Sequence, residues 1–182
     1  YPPTSFQISN IKADAVGGVG ADISHPSSNT TRIRIGDPNA TITGAQHYHI
    51  SYDVAGAFNP FTKTDELYWN ATGHRWVVPI DKVAVSVSFP GGTSVKGTCY
   101  QGSVGDDTAC KTSVNGSTAA FSLARGLGYH QGLTFAVSVP KGAVSVPPPI
   151  IEKDFSPADL FTLDWIEYAG VVVTAAAGIL WL

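Results

Sequence analysis

At 182 residues the chain has room for one ordinary domain and a tail, with enough apolar material for a sizeable core. Charged residues make up only 14% while Gly, Ser, Thr and Val are abundant. That balance is common in secreted and cell-surface β proteins and argues against disorder, which needs high charge with low hydrophobicity. The net charge of -3, with Lys and Arg scattered and no basic stripe, argues against a nucleic-acid partner.

In chain order, Phe6, Ile8, Ile11 and Ala13 give an imperfect period-two pattern, a weak strand signal over 5–15. Residues 16–31, rich in Gly, Ser and Asn, read as a turn or loop. Arg32-Ile33-Arg34-Ile35 alternates and is stopped by Gly36-Asp37-Pro38-Asn39, which predicts a short strand. Tyr48, Ile50, Tyr52 and Val54 then face one way, with His47, His49, Ser51 and Asp53 on the other. This predicts a half-buried antiparallel strand with one wet face, followed by a loop over 55–64. Asp65 to Ile80 packs Tyr68, Trp69 and Trp76 around the turn signal Asn70-Ala71-Thr72-Gly73 and reads as a strand–turn–strand hairpin. Pro79 suits the edge or the end of its second strand. Val83, Val85, Val87 and Phe89 form the clearest alternation, ended by Pro90-Gly91-Gly92. Further strands are expected over 94–100, over 119–124 with Phe121 and Leu123 inward, and over 133–139 with Leu133, Phe135, Val137 and Val139 inward.

No segment before Val146 has a 3.6-residue apolar period. The expected fold is therefore all-β, an antiparallel β-sandwich that is immunoglobulin-like in the broad sense, over 1–145. Val146-Pro147-Pro148-Pro149 opens a stiff spacer over 146–155. Ser156-Pro157-Ala158-Asp159 has the signature of a helix start, and Tyr168 to Leu182 then runs fifteen residues without a charge. At 1.5 Å per residue that run spans about 22 Å, short of a hydrocarbon core near 30 Å. A buried C-terminal helix competes with a transmembrane helix cut off by the end of the chain. Absence of charge all round the helix favours the second. Trp165 and Tyr168 stand where interfacial aromatics belong, and Trp181 lies deeper in the apolar run. Lys153 is the only base among Asp154, Asp159, Asp164 and Glu167, a poverty compatible with a β domain outside the cytoplasm. A chain that opens on Tyr1 and has no Met reads as processed or trimmed, so both ends are expected to continue.

Cys99 and Cys110 bracket a polar loop, and in an oxidising compartment a disulfide between them is expected to contribute about 2–3 kcal/mol. Free thiols and a metal site are the rivals, although this pair matches no standard zinc spacing.

Candidates for chemistry are few. His47, His49 and Asp53 share a strand face and are weak candidates for a metal site or proton shuttle, against the commoner reading of three solvated side chains. Adjacent Asp65 and Glu66 would point to opposite faces, and Asp106-Asp107 reads as a solvated loop tip. Gly17-Gly18-Val19-Gly20 lacks the lysine and the strand–helix setting of a phosphate loop, and neither a Gly-x-Ser-x-Gly elbow nor a His-Glu-x-x-His pair is present. Four glycosylation patterns, at Asn29, Asn39, Asn70 and Asn115, are what chance supplies in a chain rich in Asn, Ser and Thr. No catalytic residue and no cofactor is expected. Tyr68, Trp69 and Trp76 are the candidate partner contacts, with core and hairpin packing the stronger reading for Leu67, Trp69 and Trp76.

Arg32-Ile33-Arg34-Ile35-Gly36-Asp37-Pro38, then Thr41-Ile42-Thr43-Gly44 and Tyr48-His49-Ile50-Ser51-Tyr52, resembles part of a bacterial family of predicted membrane proteins common in actinobacteria. That family is a domain of unknown function, number 2207. Asp65-Glu66-Leu67-Tyr68-Trp69-Asn70 with Gly73, Trp76 and Pro79-Ile80 is similar to its most recognisable block, and the paired cysteines and Val137 to Gly142 also match. The resemblance covers about residues 30–182. It implies an extracytoplasmic β domain preceded by a signal sequence and followed by transmembrane helices and a low-complexity cytoplasmic tail. Members usually begin with a further strand pair that residues 1–31 do not show, so the first strands are expected to be missing. The family carries no assigned catalytic residues. The expectation is a non-enzymatic, membrane-anchored binding or structural module, in contact with lipid and with other membrane or envelope proteins. The alternative is an enzyme or sensor built on the His47, His49 and Asp53 face.

Overall fold

The computed structural model describes residues 4–15, 20–27, 30–146 and 150–151. The chain divides into two units, Tyr1–Ile150 and Ile151–Leu182. Apart from Ile151 the second lies outside the described residues, as do most of the proline spacer and the expected transmembrane helix with Trp165, Tyr168 and Trp181. Among the described residues no helix is long and apolar enough to cross a membrane.

Those residues form thirteen strands and no helix: β1 (Thr4–Ser5), β2 (Gln7–Ala15), β3 (Ala21–Ser27), β4 (Thr30–Ile35), β5 (Tyr48–Ala55), β6 (Phe58–Pro60), β7 (Thr64–Asn70), β8 (Ala84–Ser88), β9 (Lys96–Gly102), β10 (Lys111–Asn115), β11 (Thr118–Ser122), β12 (Gly132–Pro140) and β13 (Ile150–Ile151). A four-stranded sheet runs β6-β7-β12-β9 and a three-stranded sheet β10-β11-β8, antiparallel at every pairing. Alternation places their apolar residues on shared ground. Cys99, Leu133, Phe135, Val137 and Val139 from the first sheet are buried with Ala119 and Phe121 from the second, and Val83, Val85, Val87 and Phe89 pack around them. Phe121 stacks on Phe135 with ring centroids 5.2 Å apart and planes 16° from parallel. Burial of such aromatic area dominates the energetics of the unit, because hydrophobic stabilisation scales with apolar area removed from water.

Two polar side chains are admitted to this interior, each with its partners. Asp65 is buried and accepts from Lys141 Nζ at 2.6 Å. Gln101 donates to the Arg125 carbonyl at 3.1 Å and accepts from Ala124 N at 2.6 Å, closing the end of β11. Unpaired, either group would cost more than its hydrogen bonds contribute.

Several sequence expectations need correction. The hairpin over 65–80 does not form. The turn sits at Asn70–Gly73 as expected, but β7 pairs with β12 on one side and β6 on the other, leaving no place for a second strand. The chain from 74 onward runs irregularly to an isolated bridge at Ile80↔Leu127. The loop over 55–64 contains β6, and the loop over 16–31 contains β3, which forms a hairpin with β4. β5 pairs with β2 across a register shift between Ser9 and Lys12. Its apolar face is not covered: Tyr48, Ile50 and Tyr52 are 49%, 45% and 42% exposed, so the alternation marks a strand but not a buried one.

Candidate binding surface

With Asp65, Leu67 and Trp69 turned inward, β7 presents Glu66, Tyr68 and Asn70 on its outer side, as period two requires. The same parity on β12 and β9 brings outward residues into rows. Tyr68 lies beside Ala136, which lies beside Thr98; Asn70 lies beside Thr134, which lies beside Tyr100. Tyr68 is 54% exposed and Tyr100 41% exposed. They stand on strands either side of β12 and two residues out of register, so their backbones are about 12 Å apart, two strand spacings across and two residues along. Between them runs a floor of small residues.

The far end of this floor is closed by two loops. One is the Asn70–Gly73 turn. Asn70 Oδ1 accepts from Gly73 N at 2.8 Å, so its amide nitrogen must face His74 Nδ1, 2.9 Å away. That nitrogen can only donate, which makes Nδ1 the acceptor and leaves the ring proton on Nε2. Gly73 holds φ +76, a conformation that favours glycine. Thr72 ties the turn to β12: its Oγ1 accepts from Leu133 N at 2.9 Å, while Ala71 N donates to the Leu133 carbonyl at 2.9 Å. The His74 ring lies against Gly132, where a Cβ would meet Gly73 O at 2.6 Å and His74 Nε2 at 3.0 Å. Close approach of turn and strand therefore depends on that glycine.

The second loop runs from β9 to Cys110 and is closed by a Cys99–Cys110 disulfide, with Cα atoms 5.4 Å apart. Gln101 N donates to Thr108 O at 2.8 Å. Asp106 Oδ1 accepts from Thr108 Oγ1 at 2.6 Å and from Thr108 N at 2.9 Å. These bonds, the hydroxyl's first, hold the Asp106 carboxyl below its ordinary range, and Arg125 adds a weaker pull in the same direction. Asp107 has no hydrogen-bond partner among the described residues.

Together they enclose an open depression of about 440 Å³, lined among others by Tyr68, Asn70, His74, Tyr100, Asp107 and Thr134. A second of about 490 Å³ adjoins it through Asn70 and His74 and is bounded by Arg75 and Trp76. Trp76 is exposed, with its indole N–H bound to the Thr72 carbonyl at 2.6 Å.

The residues singled out from sequence separate. Tyr68 and Trp76 line this surface. Trp69 turns inward, packing on the core and on Phe6 at 5.3 Å. His47 precedes β5, and His47, His49 and Asp53 are all exposed. His49 Nδ1 lies 3.6 Å from Asp14 Oδ1, and Asp53 accepts from Asn10 Nδ2 at 2.6 Å, so the three are not gathered on a common ligand. Among the described residues no three of His, Cys, Asp and Glu group to hold a metal ion. Asp65 and Glu66 point apart, one buried on Lys141, the other reached by Ser138 Oγ at 3.4 Å.

The family model described as predicted membrane protein (DUF2207), N-terminal domain, matches residues 5–139. The chain belongs to that family. In this DUF2207 domain the match takes in β2 and β3, ahead of the point near residue 30 where the resemblance is first legible, and it includes both loops and both tyrosines of the surface. Association with a membrane follows from the family's description. No curated protein and no solved structure matches the chain.

Sequence reading missed Asn70, His74, Tyr100 and Thr134 of the DUF2207 surface. The signal available was weak. Tyr100 follows a cysteine in a short strand, and only the β9-β12-β7 register places it with Thr134 and Asn70.

Proposed function

We propose that this DUF2207 member is a non-enzymatic, membrane-anchored binding module. Its two core-sharing sheets form a β-sandwich, immunoglobulin-like in the broad sense, held on the extracytoplasmic side as an accessory subunit of an envelope or membrane complex. The observation that carries the reading is the outer face of β7-β12-β9, where two exposed tyrosines flank a floor of small residues between two pinned loops. Exposed tyrosines on a rigid sheet are typical contact anchors, since they present large area at little conformational cost. The disulfide supports placement in an oxidising compartment. The apolar run 168–182 supports a membrane anchor.

The enzyme or sensor alternative on His47, His49 and Asp53 has no specific observation in its favour. A variant carrying His47→Ala and His49→Ala is expected to behave as the parent. The module reading is tested by extracting the full chain from its native membrane in mild detergent. Partners should co-purify with it and be lost from a Tyr68→Ala/Tyr100→Ala variant; recovery as a lone, monodisperse monomer would contradict the accessory-subunit reading.

A further inference from the structure

From the chemistry of this surface we infer that its ligand is a neutral oligosaccharide, an assignment that rests on reading the β7-β12-β9 face as a binding surface. A saccharide offers two kinds of contact at once: a ring face of C–H groups that packs on an aromatic ring, and a fan of hydroxyls that both donate and accept. The depression answers both. Tyr68 and Tyr100 supply two separated aromatic platforms, and the small residues between them, Thr134 and Ala136, let a flat ligand lie across β12. Around them stand the two tyrosine hydroxyls, the Thr134 hydroxyl, His74 Nε2–H and the Asp107 carboxylate, none with a hydrogen-bond partner among the described residues. Donors and acceptors are thus mixed along one face, as a polyhydroxylated ligand requires.

Other ligand classes fit less well. An anionic ligand would meet Asp106 and Asp107 at the rim. A polyproline segment has only carbonyl acceptors along its backbone, so it would leave Asp107 unanswered. The nearby indole donor it would use, Trp76 Nε1–H, is already committed to the Thr72 carbonyl. Hydroxyls satisfy the carboxylate and the imidazole N–H together.

The loops are pinned before any ligand arrives. Thr72 on Leu133, Asn70 on Gly73 and His74, and Asp106 on Thr108 fix the polar groups or the backbone that carries them. Preorganisation of this kind lowers the ordering cost of binding.

The test applies fluorescently labelled full chain in detergent to an array of neutral tri- and tetrasaccharides of glucose, galactose, mannose, arabinose and N-acetylglucosamine, with affinities then measured by calorimetry. At least one glycan should bind with Kd below about 1 mM. Tyr68→Ala and Tyr100→Ala should each weaken it about tenfold, as loss of a contact anchor does. Tyr100→Phe keeps the ring and should retain most of the affinity, and Tyr48→Ala, at an exposed tyrosine on β5, should change nothing. Absence of binding to every neutral glycan, or equal weakening by Tyr48→Ala, overturns the assignment. If glycans fail while partner proteins are still lost from the Tyr68→Ala/Tyr100→Ala variant on co-purification, the surface binds protein and only the glycan inference falls; if both fail, the binding surface falls with it.

Discussion

Thr72 finishes the ladder between β7 and β12 with a side chain where a backbone carbonyl would otherwise stand. Its Oγ1 accepts from Leu133 N at 2.9 Å, and Leu133 is buried. Thr72→Val keeps the branched shape and removes the acceptor, leaving that N–H without a partner away from water. An orphaned buried donor costs about 1–3 kcal/mol. A loss near 2 kcal/mol should lower Tm by about 6 °C for a chain of this size. Thr72→Ser restores the acceptor and should recover most of the loss. The assay is thermal unfolding of the full chain in detergent, followed by tryptophan fluorescence, with amide exchange at Leu133 as the local readout. Valine and serine variants that melt together, or a Leu133 amide no faster in the valine variant, would refute the assignment of the hydroxyl as the ladder's last acceptor.

Further expectations concern the two loops. Replacing Cys99 and Cys110 by Ala releases a loop with a sequence separation of 11 and should lower unfolding free energy by about 2.8 kcal/mol on the loop-entropy model; denaturant titration gives the value, and an unchanged midpoint would count against it. Because the Asp106 carboxyl sits below its unfolded value, the order it confers on its loop is fully present above the ordinary carboxylate range and is lost only as pH falls through the depressed folded value. The Thr108 amide should therefore stay protected from neutral to mildly acid pH in exchange experiments, and its release nearer neutrality would show that Asp106 is not the cap. Gly132→Ala places a methyl against Gly73 O and the His74 ring, and the overpacking should cost about 1–3 kcal/mol with shifted His74 ring resonances. Unmoved resonances would show that the turn can retreat freely.

What the sequence makes legible here is burial by alternation. Val83, Val85, Val87 and Phe89 are read as sharing one face, and Leu133, Phe135, Val137 and Val139 as inward, from period two alone, and all pack in or against the shared core. The same pattern in β5 misleads, since period two reports a strand but not whether another layer covers it; Tyr48, Ile50 and Tyr52 remain half exposed. β10 gives no signal, because Lys111 to Asn115 is an edge strand exposed on both faces with no apolar alternation to detect. The false hairpin has a different cause. The Asn70–Gly73 turn is locally encoded, but the partner of β7 lies more than sixty residues downstream in β12, and local pattern carries no information about that pairing. The binding surface suffers most from this limit. Tyr68 was visible as an exposed aromatic, whereas Tyr100, Thr134 and His74 join it only through register and through a loop return.

The central claim is that contact with a ligand or partner is made by the outer face of β7-β12-β9. A photo-crosslinking amino acid placed at Tyr68, Tyr100 or Tyr48 in the full chain, irradiated in the native membrane, tests it directly. Adducts should form from positions 68 and 100 and not from 48; adducts from 48 with none from 68 or 100 would contradict the account.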